Sequence, residues 1–320
     1  MRILALVPGG IGEQLLFFPT LASLKAQYPH AAIDVIVEPR AKSAYRVCAH
    51  VNEVLVFDFK DRNGLADYLN LLGIIRDREY EVALNLSRQW QLNLLLWLNG
   101  IPLRVGYQGE GALFLSQAIP LQTDQYAAVT YHDLIQGFGI QSSCPPLTIN
   151  VPKEDIQWAE AEQKRLGLSE SGYVLIHGGA SRLARLMGAD NLYPVAQWHT
   201  VIDDIQRKQP NLSLVLLQGP EDEDWIAAMR RNHPQLRTTQ PSDIGKLAAM
   251  IAGANLMLCP DSAPLHLSVA VGTYTIALFG PTQAAQLIPP HQERCLGLQS
   301  KTNKIADILP AEILAKVWRG

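Results

Sequence analysis

The feature that most constrains the fold of this chain is a regular alternation of short apolar runs with amphipathic stretches along most of its 320 residues. Short runs rich in Ile, Val and Leu, apolar at every position, are typical of parallel strands with helices on both faces. In the first half, strands are predicted over 3–7, 33–37, 54–57, 82–86 and 104–107, and helices over 13–27, 41–48, 65–76, 89–98 and 132–138. This half is therefore predicted to be an α/β domain with a parallel sheet.

A proline-rich stretch, Ser-Ser-Cys-Pro-Pro at 142–146, interrupts the alternation. Prolines lack an amide donor and favour extended backbone, so we interpret this stretch as a linker. Beyond it, strands are predicted over 173–177, 213–217, 236–238, 256–259 and 275–279, and helices over 153–166, 194–208, 223–231, 244–252, 265–271 and 310–318. We predict two Rossmann-like domains, residues 1–145 and 146–320, with the last helix packing back on the first domain.

Charge and cysteine spacing exclude several classes of protein. A net charge of −3 and a sequence pI of about 6.2 argue against a nucleic-acid partner. The four cysteines have neither zinc-ligand spacing nor the density of a disulfide framework, which fits a reducing compartment. No apolar stretch approaches the roughly 18 residues of a membrane span, and the first apolar run is too short for a signal peptide.

The loop at 8–13, Pro-Gly-Gly-Ile-Gly-Glu, joins the first predicted strand to the first helix. Glycines let the backbone turn sharply and approach a ligand, and the N-terminus of the following helix favours an anion. The spacing departs from the Gly-x-Gly-x-x-Gly fingerprint, which argues against a nicotinamide-dependent oxidoreductase. Glu13 has two interpretations: a first-turn carboxylate that complements the helix dipole, or a general base.

The loop at 177–181, His-Gly-Gly-Ala-Ser, follows the first predicted strand of the second half. Open α/β sheets bind ligands at the carboxyl ends of their strands, and the amides and hydroxyl of such a loop suit phosphate oxygens. We predict that a phosphate-bearing ligand contacts His177, Gly178, Gly179 and Ser181. The alternative is a glycine-rich turn without a ligand.

The block at 259–266, Cys-Pro-Asp-Ser-Ala-Pro-Leu-His, is the most specific motif. Asp261 and Ser262 are predicted to cap a helix that has Pro264 in its first turn. A diphosphate suits this helix N-terminus at Ser262 and Ala263, and His266 is predicted to add a hydrogen bond or a positive charge. Asp261 is predicted to orient a hydroxyl of the bound ligand or the loop itself. A well-capped helix without a ligand is the alternative.

An acidic stretch, Glu-Asp-Glu-Asp at 221–224, follows the strand predicted over 213–217. It contains an Asp-x-Asp triplet, which binds divalent metals in some enzymes, but carboxylates are also expected in the first turn of a helix. We predict no metal here and expect Glu221 or Asp222 to contact a ribose hydroxyl.

Together these segments resemble glycosyltransferase family 9, the ADP-heptose:lipopolysaccharide heptosyltransferases and their relatives. The resemblance covers nearly the whole chain: residues 2–24, Arg-Val-Gly-Tyr at 104–107, the loop at 177–181, 193–198, and 261–282, where Leu-Phe-Gly-x-Thr ends a strand. It implies a GT-B fold, two Rossmann-like domains facing each other across a cleft. It also implies inverting transfer without a metal or other cofactor, from a nucleotide-diphosphate sugar held by the second domain, an ADP-sugar being expected. The catalytic acid of the family falls on Glu13, and its donor-phosphate positions fall on Ser181, Ser262, Ala263 and His266.

The chain departs from the family pattern at four positions, which carry Glu13 for aspartate, Asn191 for lysine, Tyr193 for tryptophan and Ala263 for glycine. Without this lysine, the leaving diphosphate has one positively charged contact fewer. Arg182 and Arg185 are predicted to replace it, since arginine binds phosphate well.

The predicted reaction is a single displacement in which Glu13 takes the proton of an acceptor hydroxyl while the nucleoside diphosphate leaves. A lipopolysaccharide or another cell-surface glycan or glycolipid is the expected acceptor, and the protein is expected in the cytoplasm, at the cytoplasmic face of the inner membrane. Candidate acceptor contacts on the first domain are Gly10, Gly12, Arg40 and Arg88, with Lys42 and Arg46 nearby; solvated surface charge is the alternative for each cation. A second interpretation, favoured by Asn191 and Ala263, is a degenerate GT-B scaffold that binds nucleotide or glycan without turnover.

Overall fold

The computed structural model describes residues 1–59, 64–168, 172–179, 192–290 and 292–318. The chain divides into two compact units, Met1–Asn150 and Val151–Gly320. The division falls a few residues beyond the predicted linker because the chain after the prolines still contacts unit 1: the N–H of Asn150 donates to the carbonyl of Val47 (2.9 Å).

Unit 1 contains a six-stranded parallel sheet with the order β3-β2-β1-β4-β5-β6. Ile3 in the central strand pairs with Ile33 on one side and Val82 on the other. Helices cover both faces, so β1 is buried beyond its first residue, which explains its apolar character at every position. The strands are β1 Arg2–Val7, β2 Ala32–Val37, β3 Glu53–Val56, β4 Val82–Asn85, β5 Leu103–Tyr107 and β6 Gln117–Ile119.

The helices of unit 1 are α1 Ile11–Gln27, α2 Leu65–Arg76, α3 Trp90–Leu98 and α4 Ala127–His132. α1 packs against α4, whereas α2 and α3 share a core with the central strands that includes Leu4, Leu71 and Leu96. Two segments predicted as α-helix are instead tighter 3₁₀ turns, Pro39–Val47 and Asp133–Phe138.

Unit 2 repeats the architecture, with a parallel sheet in the order β12-β11-β10-β7-β8-β9. Read from the central strand outward, it has the same connectivity as unit 1, so two Rossmann-like α/β domains are confirmed. The strands are β7 Tyr173–His177, β8 Ser213–Leu217, β9 Arg237–Thr239, β10 Leu256–Pro260, β11 Thr275–Phe279 and β12 Cys295–Gln299. The helices are α5 Lys153–Arg165, α6 Val195–Lys208, α7 Glu223–Asn232, α8 Ile244–Ala252, α9 Ala263–Val271, α10 Ala284–Leu287 and α11 Pro310–Val317.

The C-terminal helix α11 packs on α6 of unit 2. Ile313 is fully buried in the core of this unit, and the indole N–H of Trp318 donates to Asp204 of α6 (2.9 Å). These contacts tie α11 to unit 2, and its packing on the first domain stays a prediction.

Two strands, β6 and β12, were not predicted. β6 has only three residues, and β12 contains Gly297 and alternates between more and less exposed positions, so neither gives a continuous apolar run. Among the described helices, none combines the length and apolar character needed to cross a bilayer.

Candidate functional site

The strand order of unit 2 reverses between β7 and β10, and open α/β sheets bind ligands at such a switch point, beyond the carboxyl ends of the strands. β7 ends at His177 and β10 ends at Pro260, and the two strands pair directly. β8 lies on the other side of β7. Folding therefore brings together three loops that are far apart in the chain, at 177–179, 218–222 and 261–262.

His177 connects these loops. Its Nδ1 lies 3.3 Å from the Oγ of Ser262, and its Nε2 lies 3.7 Å from Oδ2 of Asp222. The Asp222 carboxylate is held in turn by the N–H of Gly219, which donates to Oδ2 (2.7 Å). His177 and Asp222 are only 8% and 9% exposed. The hydroxyl, imidazole and carboxylate thus form one chain of polar groups across the switch point.

Ser262 occupies the N-cap position of α9 with extended backbone, but its side chain makes no capping hydrogen bond. The Oγ instead donates to the carbonyl of Pro260 (3.0 Å). Ser262 is therefore the N-cap residue, as predicted, but its side chain does not cap the helix, and the first-turn amides of α9 do not donate to its hydroxyl. Such amides at a helix N-terminus are ready donors for a phosphate.

Ala263 is the first helical residue of α9. Helical backbone suits any residue, so the replacement of the family's glycine by alanine introduces no conformational strain here.

His266 is 4% exposed within α9. Desolvation lowers its pKa from 6.5 to about 4, so the imidazole is neutral near pH 7 and does not supply the predicted positive charge. Its Nδ1 is buried without a hydrogen-bond partner among the described residues, and the same holds for the hydroxyl of Thr282, just beyond β11.

Gly178 lies directly against the indole of Trp225, a residue that the sequence analysis did not single out. A Cβ at Gly178 would lie 2.2 Å from the Trp225 ring. Gly179 follows with φ of +134°, a conformation that favours glycine. These two glycines let the loop after β7 pass over Trp225. The only sign of this contact in the sequence is a tryptophan three residues after Asp222.

Most of the acidic stretch after β8 forms the N-cap and the first turn of α7. Asp222 is buried at the N-cap position, whereas Glu221 and Asp224 are exposed. Within the described residues, no group of three or more His, Cys, Asp or Glu side chains is arranged to hold a metal ion.

The switch point of unit 1 lies between β1 and β4 and is lined by the glycine loop. The N–H of Gly10 donates to Oε2 of Glu13 (2.9 Å), so this carboxylate caps its own helix and is exposed to solvent. Gly9 has φ of +114°, and a Cβ there would lie 3.0 Å from the Glu13 side chain. Burial, and secondly the charge of Glu13, raise the pKa of Tyr131 in α4.

The other predicted acceptor residues lie at the same edge of the sheet. Gly12 is in the first turn of α1, Arg40 follows β2 and Arg88 follows β4, and both arginines are exposed. Sequence reasoning missed the support for the turn before Arg88: the N–H of Ser87 donates to Asn85 (2.9 Å), which also donates to Asn93 (2.7 Å).

Four predicted positions, Ser181, Arg182, Arg185 and Asn191, lie outside the described residues. Tyr193 is fully buried, and its hydroxyl donates to the carbonyl of Ile308 (2.8 Å), so it supports the core of unit 2.

Two Rossmann-like units define the class of two-domain α/β proteins with the GT-B fold. The switch point of unit 2 carries a glycine turn, a helix N-terminus and a buried carboxylate. The structure is similar to that of Escherichia coli heptosyltransferase WaaC with ADP-2-deoxy-2-fluoro heptose, with a TM-score of 0.76, 15% identity and coverage of 100% of this chain and 99% of that one. The family model of glycosyltransferase family 9 (heptosyltransferase) matches residues 69–312. The chain belongs to glycosyltransferase family 9 and is a heptosyltransferase-like glycosyltransferase.

Two curated relatives have the same level of identity but different names. Lipopolysaccharide heptosyltransferase 3 of Escherichia coli is 25% identical over 85% of this chain and 81% of its own length. Photosynthetic NDH subunit of subcomplex B 1 of Arabidopsis thaliana, a chloroplast protein, is 25% identical over 96% of this chain and 71% of its own length.

Proposed function

We propose that this protein transfers a heptose or another hexose-type sugar, with inversion and without a metal, from an ADP-sugar to a lipopolysaccharide or another cell-surface glycan. The observation that carries the proposal is the His177–Ser262–Asp222 group at the switch point of unit 2. The relatives named as lipopolysaccharide heptosyltransferases and the ADP-heptose analogue in the WaaC structure support this choice of donor and acceptor.

In the proposed donor complex, the diphosphate lies at the N-terminus of α9. The amides of Ser262 and Ala263 and the Ser262 hydroxyl face the phosphate oxygens, and the helix dipole favours the charge that develops as the diphosphate leaves. Asp222 accepts a hydrogen bond from a ribose hydroxyl. Arg182 and Arg185 remain the proposed cations for the leaving group.

Glu13 is the proposed general base. Its carboxylate is exposed, and the Gly10 N–H that donates to Oε2 fixes its position at the switch point of unit 1. In the transfer, Glu13 takes the proton of the acceptor hydroxyl as the hydroxyl oxygen bonds to the anomeric carbon and the bond to the diphosphate breaks. An anionic glycolipid acceptor is proposed to meet Gly10, Gly12, Arg40 and Arg88 at this edge.

The proposal is tested by thermal shift with ADP-, GDP-, UDP- and dTDP-sugars, since a ligand that binds the native state raises its melting temperature. A shift with one nucleotide class that is lost in Asp222→Asn and kept in Asp224→Asn supports the donor site, because only the first aspartate is in contact distance of His177. Sugar transfer to glycolipid acceptors, unchanged in the presence of EDTA and with inverted anomeric configuration by NMR, tests the reaction. Absence of a shift with all four classes would contradict the proposal.

A second candidate is a GT-B scaffold that binds a nucleotide or glycan without turnover. The Arabidopsis relative favours it, because a protein named as a subunit of a larger complex aligns with nearly the whole chain. Nucleotide binding without transfer or donor hydrolysis on any acceptor would support this candidate, and measurable transfer that Glu13→Gln abolishes would exclude it.

A further inference from the structure

The outer face of α3 is an uncovered apolar surface in unit 1. The helix sequence, Trp-Gln-Leu-Asn-Leu-Leu-Leu-Trp-Leu, is apolar nearly all round, and helices of that composition are normally buried on every side. One face, which includes Leu92 and Leu96, packs into the core. The opposite face is exposed: Trp97 is 50% and Leu98 48% exposed.

Neighbouring residues extend this surface. Trp90, Leu94 and Trp97 follow each other at helical spacing, and the short 3₁₀ turn Ala112–Phe114 lies beside α3. The rings of Trp97 and Phe114 are 6.0 Å apart, and Leu113 is 79% exposed. We call Trp90, Leu94, Trp97, Leu98, Leu113 and Phe114 the α3 ridge. Single exposed apolar side chains are ordinary on protein surfaces, but a contiguous set marks an interaction site.

The charges around the ridge are mostly basic. Between Glu81 and Glu110 the chain has no acidic residue, and its only charged side chains there are Arg88 and Arg104. Arg104 donates from Nε to the carbonyl of Phe114 (2.7 Å), and Arg76 of α2 donates from Nη2 to the carbonyl of Leu98 (3.1 Å). Three arginines therefore flank the apolar side chains, against one exposed carboxylate, Glu110, which precedes the glycine that packs on Trp90.

We propose that the α3 ridge docks the protein on an anionic lipid bilayer. Tryptophan and leucine on one helical face with arginine at its borders are the composition of helices that lie in the membrane interface, where the apolar face enters the headgroup region and the cations meet anionic headgroups. A three-turn helix offers too small an area for a stable protein partner, which needs about 800 Å² on each side.

The position of α3 gives this contact a role, which rests on the proposed function. The helix begins just after Arg88, at the edge where the glycine loop and Glu13 lie. The helix runs away from this edge, so Trp90 is the ridge residue nearest to it. A bilayer that contacts the ridge up to Trp90 brings the headgroups of lipid-linked acceptors to the proposed acceptor edge of unit 1.

The test is sedimentation of the full chain with vesicles of phosphatidylcholine alone or mixed with phosphatidylglycerol, and quenching of tryptophan emission by brominated lipid. We expect binding to the mixed vesicles that weakens with salt, and at least a tenfold weaker partition for Trp97→Ser/Leu98→Ser. Leu113→Ser, on an exposed turn, should also weaken binding without affecting folding. The matched control is Ile156→Ser on α5, whose side chain is 43% exposed and which should bind like the parent.

Three outcomes would overturn the proposal: no binding of the parent to anionic vesicles, equal binding of the ridge variants, or a concentration-dependent dimer that the ridge substitutions abolish. Thermal shift with the nucleotide sugars, measured on the same variants, separates this result from the proposed function. If the ridge variants lose vesicle binding but keep the thermal shift with the nucleotide sugar, the ridge acts in membrane binding alone. If the parent binds vesicles but shows no thermal shift with any nucleotide sugar, only the proposed donor site is contradicted.

Discussion

The Oγ of Ser262 lies 3.3 Å from the Nδ1 of His177, although 85 positions separate them in the chain. This contact joins the end of β7 to the N-terminus of α9, and it fixes the serine hydroxyl away from the cap of its own helix. The Ser262 hydroxyl is therefore better placed to contact a ligand than to cap α9.

Ser262→Ala is expected to cost about 1 kcal/mol of stability, because the contacts of Oγ with the Pro260 carbonyl and with His177 Nδ1 are lost, although no capping bond is. Donor affinity should fall about tenfold, the usual magnitude for one hydrogen bond to a charged phosphate. Urea unfolding and titration calorimetry with the nucleotide sugar measure the two effects. Unchanged affinity for the nucleotide sugar in Ser262→Ala would contradict this assignment.

Glu13→Gln is expected to lower kcat at least about 100-fold, because an amide cannot take the proton of the acceptor hydroxyl. Glu312 provides a matched control: in α11 its Oε2 accepts the N–H of Leu309 at 2.9 Å, the same distance as between Glu13 and Gly10. Both substitutions remove one first-turn charge and should cost similar stability, about 0.3–1 kcal/mol. If Glu312→Gln lowered kcat as much as Glu13→Gln does, Glu13 would act only as a helix cap and not as the general base.

The apolar runs were sufficient to predict most of the strands, because the strands of a covered parallel sheet are largely apolar. The predicted strand at β9, which reads Arg-Thr-Thr, has no such run. The glycine loops and the block at 261–266 could be placed at strand ends for the same reason. The His177–Asp222 contact and the packing of Trp225 on Gly178 could not, since they depend on the order of strands in the sheet and not on neighbours in the chain. The neutral His266 was also missed, because burial inside α9 decides its charge.

Gly178→Ala is expected to destabilise unit 2 by about 1–3 kcal/mol, because the added Cβ would overlap the Trp225 ring. Gly73→Ala is the matched control: this glycine is inside α2, and a Cβ there meets nothing within 4 Å. The control should raise stability by up to about 1 kcal/mol through helix propensity. Urea unfolding measures both, and a neutral Gly178→Ala would mean that Trp225 moves freely.

Stability should decline below neutral pH in a way that depends on His266. Its pKa is lowered by burial from 6.5 to about 4, so the unfolded chain binds the proton more readily and the contribution present above pH 6.5 is lost as the pH falls towards 4. Replacing His266 by Leu should remove about 2 kcal/mol of the loss between pH 8 and pH 5. Burial also lowers the pKa of His50, His132 and His199, so the measurement is the difference between parent and variant. Parallel pH profiles of the two proteins would contradict the prediction.

A second acid transition is expected in unit 1 from Asp34. Burial alone would raise the pKa of this carboxyl, but hydrogen bonds from Asn52, Arg2 and Tyr80 outweigh it and lower the pKa below 3.8. Its stabilisation is therefore present above about pH 4 and is lost as the pH falls through the folded-state pKa. Asp34→Asn should cost about 2 kcal/mol at pH 7 and flatten the profile below pH 4. An unchanged acid limb in the variant would assign that limb to other carboxyls.

The strand pairs at the two switch points join distant segments, Ile3 with Val82 and Val174 with Leu256. Closing a loop of about 80 residues has a larger entropic cost than forming the local strand–helix–strand steps, so these pairs are expected to close late in folding. The loops that follow these strands then reach their final geometry only at the end of folding. Substitutions in β1 or β7 would consequently first appear as a slow gain of activity after refolding, with affinity for the nucleotide intact once folding is complete.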